Sequence, residues 1–181
     1  MVARCLETGE SFCVVHADDD GMRSVGCLAG DLEIVQRFED GRLNIVVTGT
    51  DPVRIEDVDE DTHSYLSASG YTLEDDEDPA SSDAMDAAMA AYRRLVSVAE
   101  GDEGPPEPDP GPRFSYGIAS RIDFGSAIKQ GLLEARSERA RLADVTALVS
   151  RATRTVEAQK AVAERARTNG RVSSPGSDPG A

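Results

Sequence analysis

The chain has 181 residues, 34 of them Asp or Glu and 19 Lys or Arg, for a formal net charge of −15. The charge is uneven: residues 1–112 hold 27 acidic and 7 basic side chains (net −20), and residues 113–181 hold 7 acidic and 12 basic (net +5). A front half of that sign repels phosphate backbones and anionic lipid. It argues against nucleic-acid and membrane-surface roles and leaves cationic surfaces or metal ions as allowed partners.

The length fits one or two domains. With 39% hydrophobic residues, 4% aromatic and no Trp, the core is lean. No apolar run approaches the roughly 18–20 residues of a membrane span. The N-terminus, MVARCLETGESFCVVHADDD, lacks the charged-then-apolar order of a signal peptide. Cys5, Cys13 and Cys27 are an odd number at irregular spacing, neither a disulfide framework nor a zinc pair, and read as reduced cysteines of a soluble cytoplasmic protein.

In chain order, Ser11–His16 is a short β-rich run stopped by Asp18-Asp19-Asp20-Gly21. VGCLAGDLEIVQRF and RLNIVVTGT follow, split by Glu39-Asp40-Gly41. With Asp40-Gly41 as a two-residue turn, Phe38 would pair with Leu43 and Ile34 with Val47. Val35 and Val46 then lie on the other face, so the hairpin is expected to be covered on both sides, as in a small barrel. Further strands are expected at Val53-Arg54-Ile55 and over 65–73. From Ser81 the period becomes helical. Met85, Met89, Tyr92, Leu95 and Val96 make an apolar stripe, with Asp83 as the expected N-cap. Residues 101–112, GDEGPPEPDPGP, carry five prolines and three glycines and read as an irregular loop. Helices are expected at Arg113–Ser120, Ser126–Leu133 and Ser137 to about Arg167. The last has a heptad-like seam from Leu142 through Val145 and Val149 that turns small and polar after Val156. The tail, 169–181, is disordered by composition.

Most apparent chemistry fails on inspection. Asp57-Val58-Asp59-Glu60-Asp61 resembles the start of a calcium loop, but Thr62 and Ala68 stand where that loop needs Gly and a carboxylate. Glu74-Asp75-Asp76-Glu77-Asp78 reads as an exposed linker. Ser126-Ala127-Ile128-Lys129 is an SxxK without the partner motifs of penicillin-recognising enzymes, and Ser126 is better placed to start and cap a helix. Asp123-Phe124-Gly125 has no kinase context, and His16 and His63 are isolated. No catalytic, metal-binding or cofactor-binding residue is assigned, and the chain is read as a non-enzyme.

Two stretches carry a family resemblance. Val25-Gly26-Cys27-Leu28-Ala29, Ile34-Val35, Asp40-Gly41-Arg42 with the apolar strand Leu43–Val47, Gly49 and Arg54-Ile55 resemble the β lobe of the Lon-protease amino-terminal (substrate-binding) domain. Ser115–Ser120, then Lys129-Gln130-Gly131-Leu132-Leu133-Glu134, then Glu138-Arg139-Ala140-Arg141-Leu142 are similar to its later helices. The resemblance spans roughly residues 1–152. It implies an α+β fold: a PUA-like β pseudo-barrel lobe over 1–78, then a helical lobe over 79–168 ending in a long helix. The family pattern normally opens with a strand of the form LPLFPL, a turn and a second strand, whereas this chain opens inside the helix that follows them. The expectation is a stand-alone form truncated at the N-terminus: either the true start lies upstream of Met1, the preferred reading, or the barrel is left open, and the chain of residues 1–181 should be poorly stable.

The function so implied is a non-catalytic protein- or peptide-binding module without ATPase or protease domains. Its partners would be unfolded or specific client proteins, bound with no cofactor. Phe38, Tyr65, Tyr71 and Phe114 are the large side chains available for a binding surface whose residues are otherwise unassigned. The alternatives are a PUA-like nucleic-acid module, which the acidic half disfavours, and a protease-associated adaptor that oligomerises, for instance as a homodimer, through its long helix.

Overall fold

The strand-forming runs of the front half are bounded by short turns, so each chain reversal pairs neighbours in sequence. In the computed structural model, which describes residues 1–100 and 104–169, they form one four-stranded antiparallel sheet in the order β1-β2-β3-β4. A short helix, α1 (Val2–Thr8), precedes β1 (Phe12–Asp18), β2 (Gly21–Arg37), β3 (Leu43–Asp59) and β4 (Ser67–Thr72). The helices α2 (Ser82–Glu100), α3 (Phe114–Ala119), α4 (Ser126–Glu134) and α5 (Glu138–Asn169) follow. The fold is α+β, with an antiparallel sheet and a long last helix. Residues 101–103 of the proline-rich loop and the tail from 170 lie outside the described residues; 104–110 have no regular structure.

The chain divides into two compact units. One comprises Met1–Pro79 with Ile122–Arg141; the other comprises Ala80–Arg121 with Leu142 onward. In the first, Val25 and Ala29 of β2, Leu73, Leu132 of α4 and Cys5 of α1 are buried. The Gln130 Nε2 of α4 donates to the Val25 carbonyl at 3.0 Å, which fastens that helix to β2. In the second unit Ala88, Tyr92 and Leu95 of α2, Phe114 and Ile118 of α3, and Leu142, Val145 and Val149 of α5 are buried. The seam of α5 is thus buried through Thr153, and the side chains from Ala158 to Arg167 are exposed. The cap of α2 is Ser81 rather than Asp83: the Ala84 N–H donates to Ser81 Oγ at 3.2 Å, and Asp83 falls in the first turn. At α4 the preceding residue is Gly125, and no side chain caps the helix; Ser126 is its first residue.

The β2–β3 hairpin departs from the expected register. Arg37 pairs with Leu43 and Ile34 with Ile45. Phe38 N donates to Arg42 O at 3.0 Å, and Gly41 N to Phe38 O at 3.1 Å. The loop is therefore three residues, Glu39-Asp40-Gly41. Gly41 has φ +88°, the left-handed position that such a loop needs at its third residue. Asp40 accepts both the Arg42 N–H and its Nε (2.8 Å), and the Arg42 guanidinium lies 5.0 Å over the Phe38 ring. A second irregularity lies where the hairpin leaves the sheet: register shifts between Gly30 and Glu33, and Asp31 adopts φ +46°. Beyond it the arm is half-buried on one face only. Val35 and Val46 are 62% and 55% exposed, so the expected second cover is absent among the described residues. Val53–Ile55 is not a separate strand but continues β3, with Pro52 tolerated beside a bulge.

The acidic run 74–78 is not a free linker. Arg141, with no exposed side-chain area, donates to both Asp75 oxygens (2.9 and 2.6 Å), to Glu138 Oε2 (2.6 Å) and to the Ala135 carbonyl (2.6 Å). Arg136 Nε donates to Glu74 O, and Asp76 N to Arg136 O. Asp78 accepts the Ser137 hydroxyl (2.6 Å) and pairs with Arg139 (2.5 Å). The run becomes an ordered segment because Arg136, just before α5, and Arg139 and Arg141 in its first turn pair with Asp76, Asp78 and Asp75.

Gly70 is a position where only a missing Cβ fits. It faces Ile55 at the β3 bulge, and an added Cβ would stand 2.1 Å from the Arg54 carbonyl oxygen. Gly70→Ala is expected to lower stability by about 1–3 kcal/mol through overpacking against backbone, read as a shift in the urea midpoint.

Candidate functional site

Among the described residues the sheet has two strands with one side unpaired by another strand, β1 and β4, because the order β1-β2-β3-β4 leaves them at its ends. Both border the same groove, about 850 Å³ in volume, which lies wholly within the first unit. Its apolar lining comes from alternate positions of the strands: Leu28 of β2, Val53, Ile55 and, past a bulge, Val58 of β3, and Cys13, Val15 and Ala17 of β1, with Phe12 at the start of β1 also bordering it. Residues 67–72 of β4 form one side, the loop residues His63, Tyr65 and Leu66 lie along it, and Met1, Arg4 and Cys5 of α1 close an end. Helix α1 stays there because Cys5 is buried and because Gly9, at φ 72°, donates to the Cys5 carbonyl and turns the chain into β1. Tyr71 and Leu66 are 52% and 59% exposed, large apolar surfaces at the mouth.

Polar groups around the groove are engaged with one another. Arg4 Nε donates to Glu10 Oε2 at 3.0 Å, and hydrogen bonds to Glu10 and then to Tyr65 raise the arginine's pKa. His63 stacks on Tyr65 with ring centroids 5.1 Å apart and planes 12° from parallel. Burial, and secondarily Cys27, pushes the Cys13 thiol pKa up, so this part of the wall stays uncharged at neutral pH. In the loop after β3, Asp59 accepts the Thr62 hydroxyl and the Asp61 and Thr62 amides, which hold its pKa below the usual carboxylate range. The acidic stretch once compared with a calcium loop is therefore partly strand, since β3 runs to Asp59, and partly a side-chain-closed turn. Among the described residues no three His, Cys, Asp or Glu side chains converge as a metal site, and no helix is long and apolar enough to cross a membrane.

Of the four large side chains singled out from sequence, Tyr65 and Tyr71 meet at the groove. Phe38 lies under Arg42 at the hairpin tip, and Phe114 is buried in the second unit. Phe12, Leu66 and the β3 residues of the lining were not anticipated. Their signal was the alternation Val53, Ile55, Val58, interrupted by the bulge between Ile55 and Asp57. Chemically the arrangement offers apolar contact, aromatic faces and two strand edges. It suits recognition of a chain segment.

Comparison with known proteins agrees on one family. The sequence model described as the ATP-dependent protease La (LON) substrate-binding domain matches residues 1–151. Among solved structures, a Lon N-terminal domain protein from Xanthomonas campestris is similar at 19% identity and a TM-score of 0.56, over 81% of this chain and 80% of that one. The N-terminal domain of the Mycobacterium avium complex Lon protease is similar at 18% identity and a TM-score of 0.55, over 79% and 78%. At these identities the structural likeness is one of fold. No curated protein sequence matches at a significant level.

Proposed function

The chain belongs to the ATP-dependent protease La (LON) substrate-binding domain family, and from that premise we propose that it is a non-catalytic module that binds unfolded or loosely folded client proteins. The observation that carries this reading is the groove: an apolar lining with Tyr71 and Leu66 exposed at its mouth, in the unit that holds the sheet. That unit contains 23 acidic and 9 basic residues, net −14, which favours basic clients and repels nucleic acid. Binding needs neither ATP nor a metal, and the setting is cytoplasmic.

The test uses one defined client in two states: lysozyme that has been reduced and carbamidomethylated, hence unfolded and basic, against native lysozyme. Fluorescence anisotropy should show binding of the unfolded form alone, unchanged by ATP or EDTA. Equal binding of both forms, or of neither, would remove the proposal. The double variant Leu66→Ala, Tyr71→Ala should weaken that binding about tenfold, the loss expected for truncating aromatic and aliphatic anchors. Its unfolding midpoint should hardly move, since both side chains are more than half exposed.

A further inference from the structure

We infer that the groove takes its client as an added β-strand, paired through the backbone to the free edge of β4. The client would be an extended segment of alternating apolar residues flanked by basic ones. The inference rests on the protein-binding reading above and specifies its mode.

Edge strands in natural proteins are usually blunted by Lys, Pro or inward charges. β4 reads Ser-Ala-Ser-Gly-Tyr-Thr, with no charge and no proline along its six residues, and among the described residues no strand pairs with its outer side. Its outward backbone groups follow from the register. Val53 pairs with Thr72, and Leu73 N donates to Pro52 O at 2.8 Å, which makes the 53–72 pair a non-hydrogen-bonded one. The N–H and C=O of Thr72 therefore point away from β3, and alternation along the strand directs those of Gly70 and Ala68 the same way. A segment laid on this edge sends every second side chain toward the apolar lining, which is how strand addition combines backbone affinity with side-chain choice.

Charge decides the occupant. A second copy would bring another unit of net −14 to the same edge. Asp57 and Asp59 pair directly with Ser69 and Ser67 of β4, and Glu60 and Asp61 follow. That end repels an acidic strand and attracts a basic one.

The experiment uses the full chain and a fluorescein-labelled nonapeptide of alternating valine and threonine between arginines. Two analogues carry N-methyl groups on the amides of one edge or of the other, and a third has glutamates in place of the arginines. At least one methylated analogue should bind about tenfold or more weakly, because several backbone hydrogen bonds are lost together. The glutamate analogue should also bind about tenfold more weakly at low salt, with the gap closing as salt rises. Ala68→Pro, which removes an outward N–H but spares the β3 ladder, should weaken the parent peptide while the unfolding midpoint holds. Both methylated analogues binding like the parent would overturn strand addition. If unfolded lysozyme still bound, the broader reading would stand; if it did not, both would fall. A stable homodimer in sedimentation that the peptide dissociates would assign the edge to a second copy and overturn the inference in its stated form.

Discussion

Replacing Arg141 by alanine is expected to cost about 3–5 kcal/mol of stability, the penalty for breaking a buried ion pair from one side. The side chain has no exposed area, and its guanidinium holds Asp75 bidentately, Glu138 and the Ala135 carbonyl. Truncation takes the Arg141 charge away from the Glu138 carboxylate, which is 5% exposed, and leaves an empty space beside it. It also releases the 74–78 segment, which crosses from the last strand to the helical part of the chain. Arg139→Ala is the control. That side chain is 68% exposed and pairs with Asp78 at the surface, so its loss should cost less than about 1 kcal/mol. Urea unfolding followed by circular dichroism distinguishes the two, and equal costs would show that the buried network contributes nothing special. Acid should loosen the same region. Hydrogen bonding from Ser137, and then the charge of Arg139, lower the pKa of Asp78. Its contribution is therefore present above the ordinary carboxylate pKa and lost as pH falls through the depressed value.

Phe114→Ala should destabilise by a similar amount, about 3–5 kcal/mol, through lost burial and the cavity left behind. Phe114 is 2% exposed at the first position of α3, in the unit where Ile118, Tyr92 and Val149 are also buried. Phe114→Leu should cost much less, because most of the volume is retained. Under conditions where the alanine variant remains folded, its binding of unfolded lysozyme should match the parent's. The double variant Leu66→Ala, Tyr71→Ala should show the reverse pattern, retained stability and reduced binding. The pair of results separates a core aromatic from a surface one, a distinction that residue type alone does not make.

Several sequence-based readings missed for identifiable reasons. Asp40-Gly41 signals a hairpin, but Gly with positive φ serves both a two-residue turn and the last position of a three-residue loop. The Phe38–Arg42 closure selects the second and moves the cross-strand partners by one, and a further register shift between Ile34 and Gln36 moves those beyond it again. Asp83 and Ser81 both suit an N-cap, and the geometry of the first turn chose Ser81. The run Glu74–Asp78 looks solvated because like charges in sequence repel. Arg136, Arg139 and Arg141, some sixty residues later, convert it into a clamp, and no local pattern announces that pairing.

The sequence by itself determined the family, through its ordered DGR-strand and QGLLE-ER pieces, and the order of a β-rich front and a helical back. Its charge also set the electrostatic character of the sheet unit. These are properties of local composition, period and linear order, which a chain carries before it folds. Only the tertiary structure decided that β1 and β4 border one groove, that Tyr65 and Tyr71 gather there while Phe114 is buried, and that α4 packs on β2. Those outcomes depend on contacts between residues far apart in sequence, on sheet register and on which face each side chain is given. A one-residue change of register reverses the faces, so pattern alone could not resolve them.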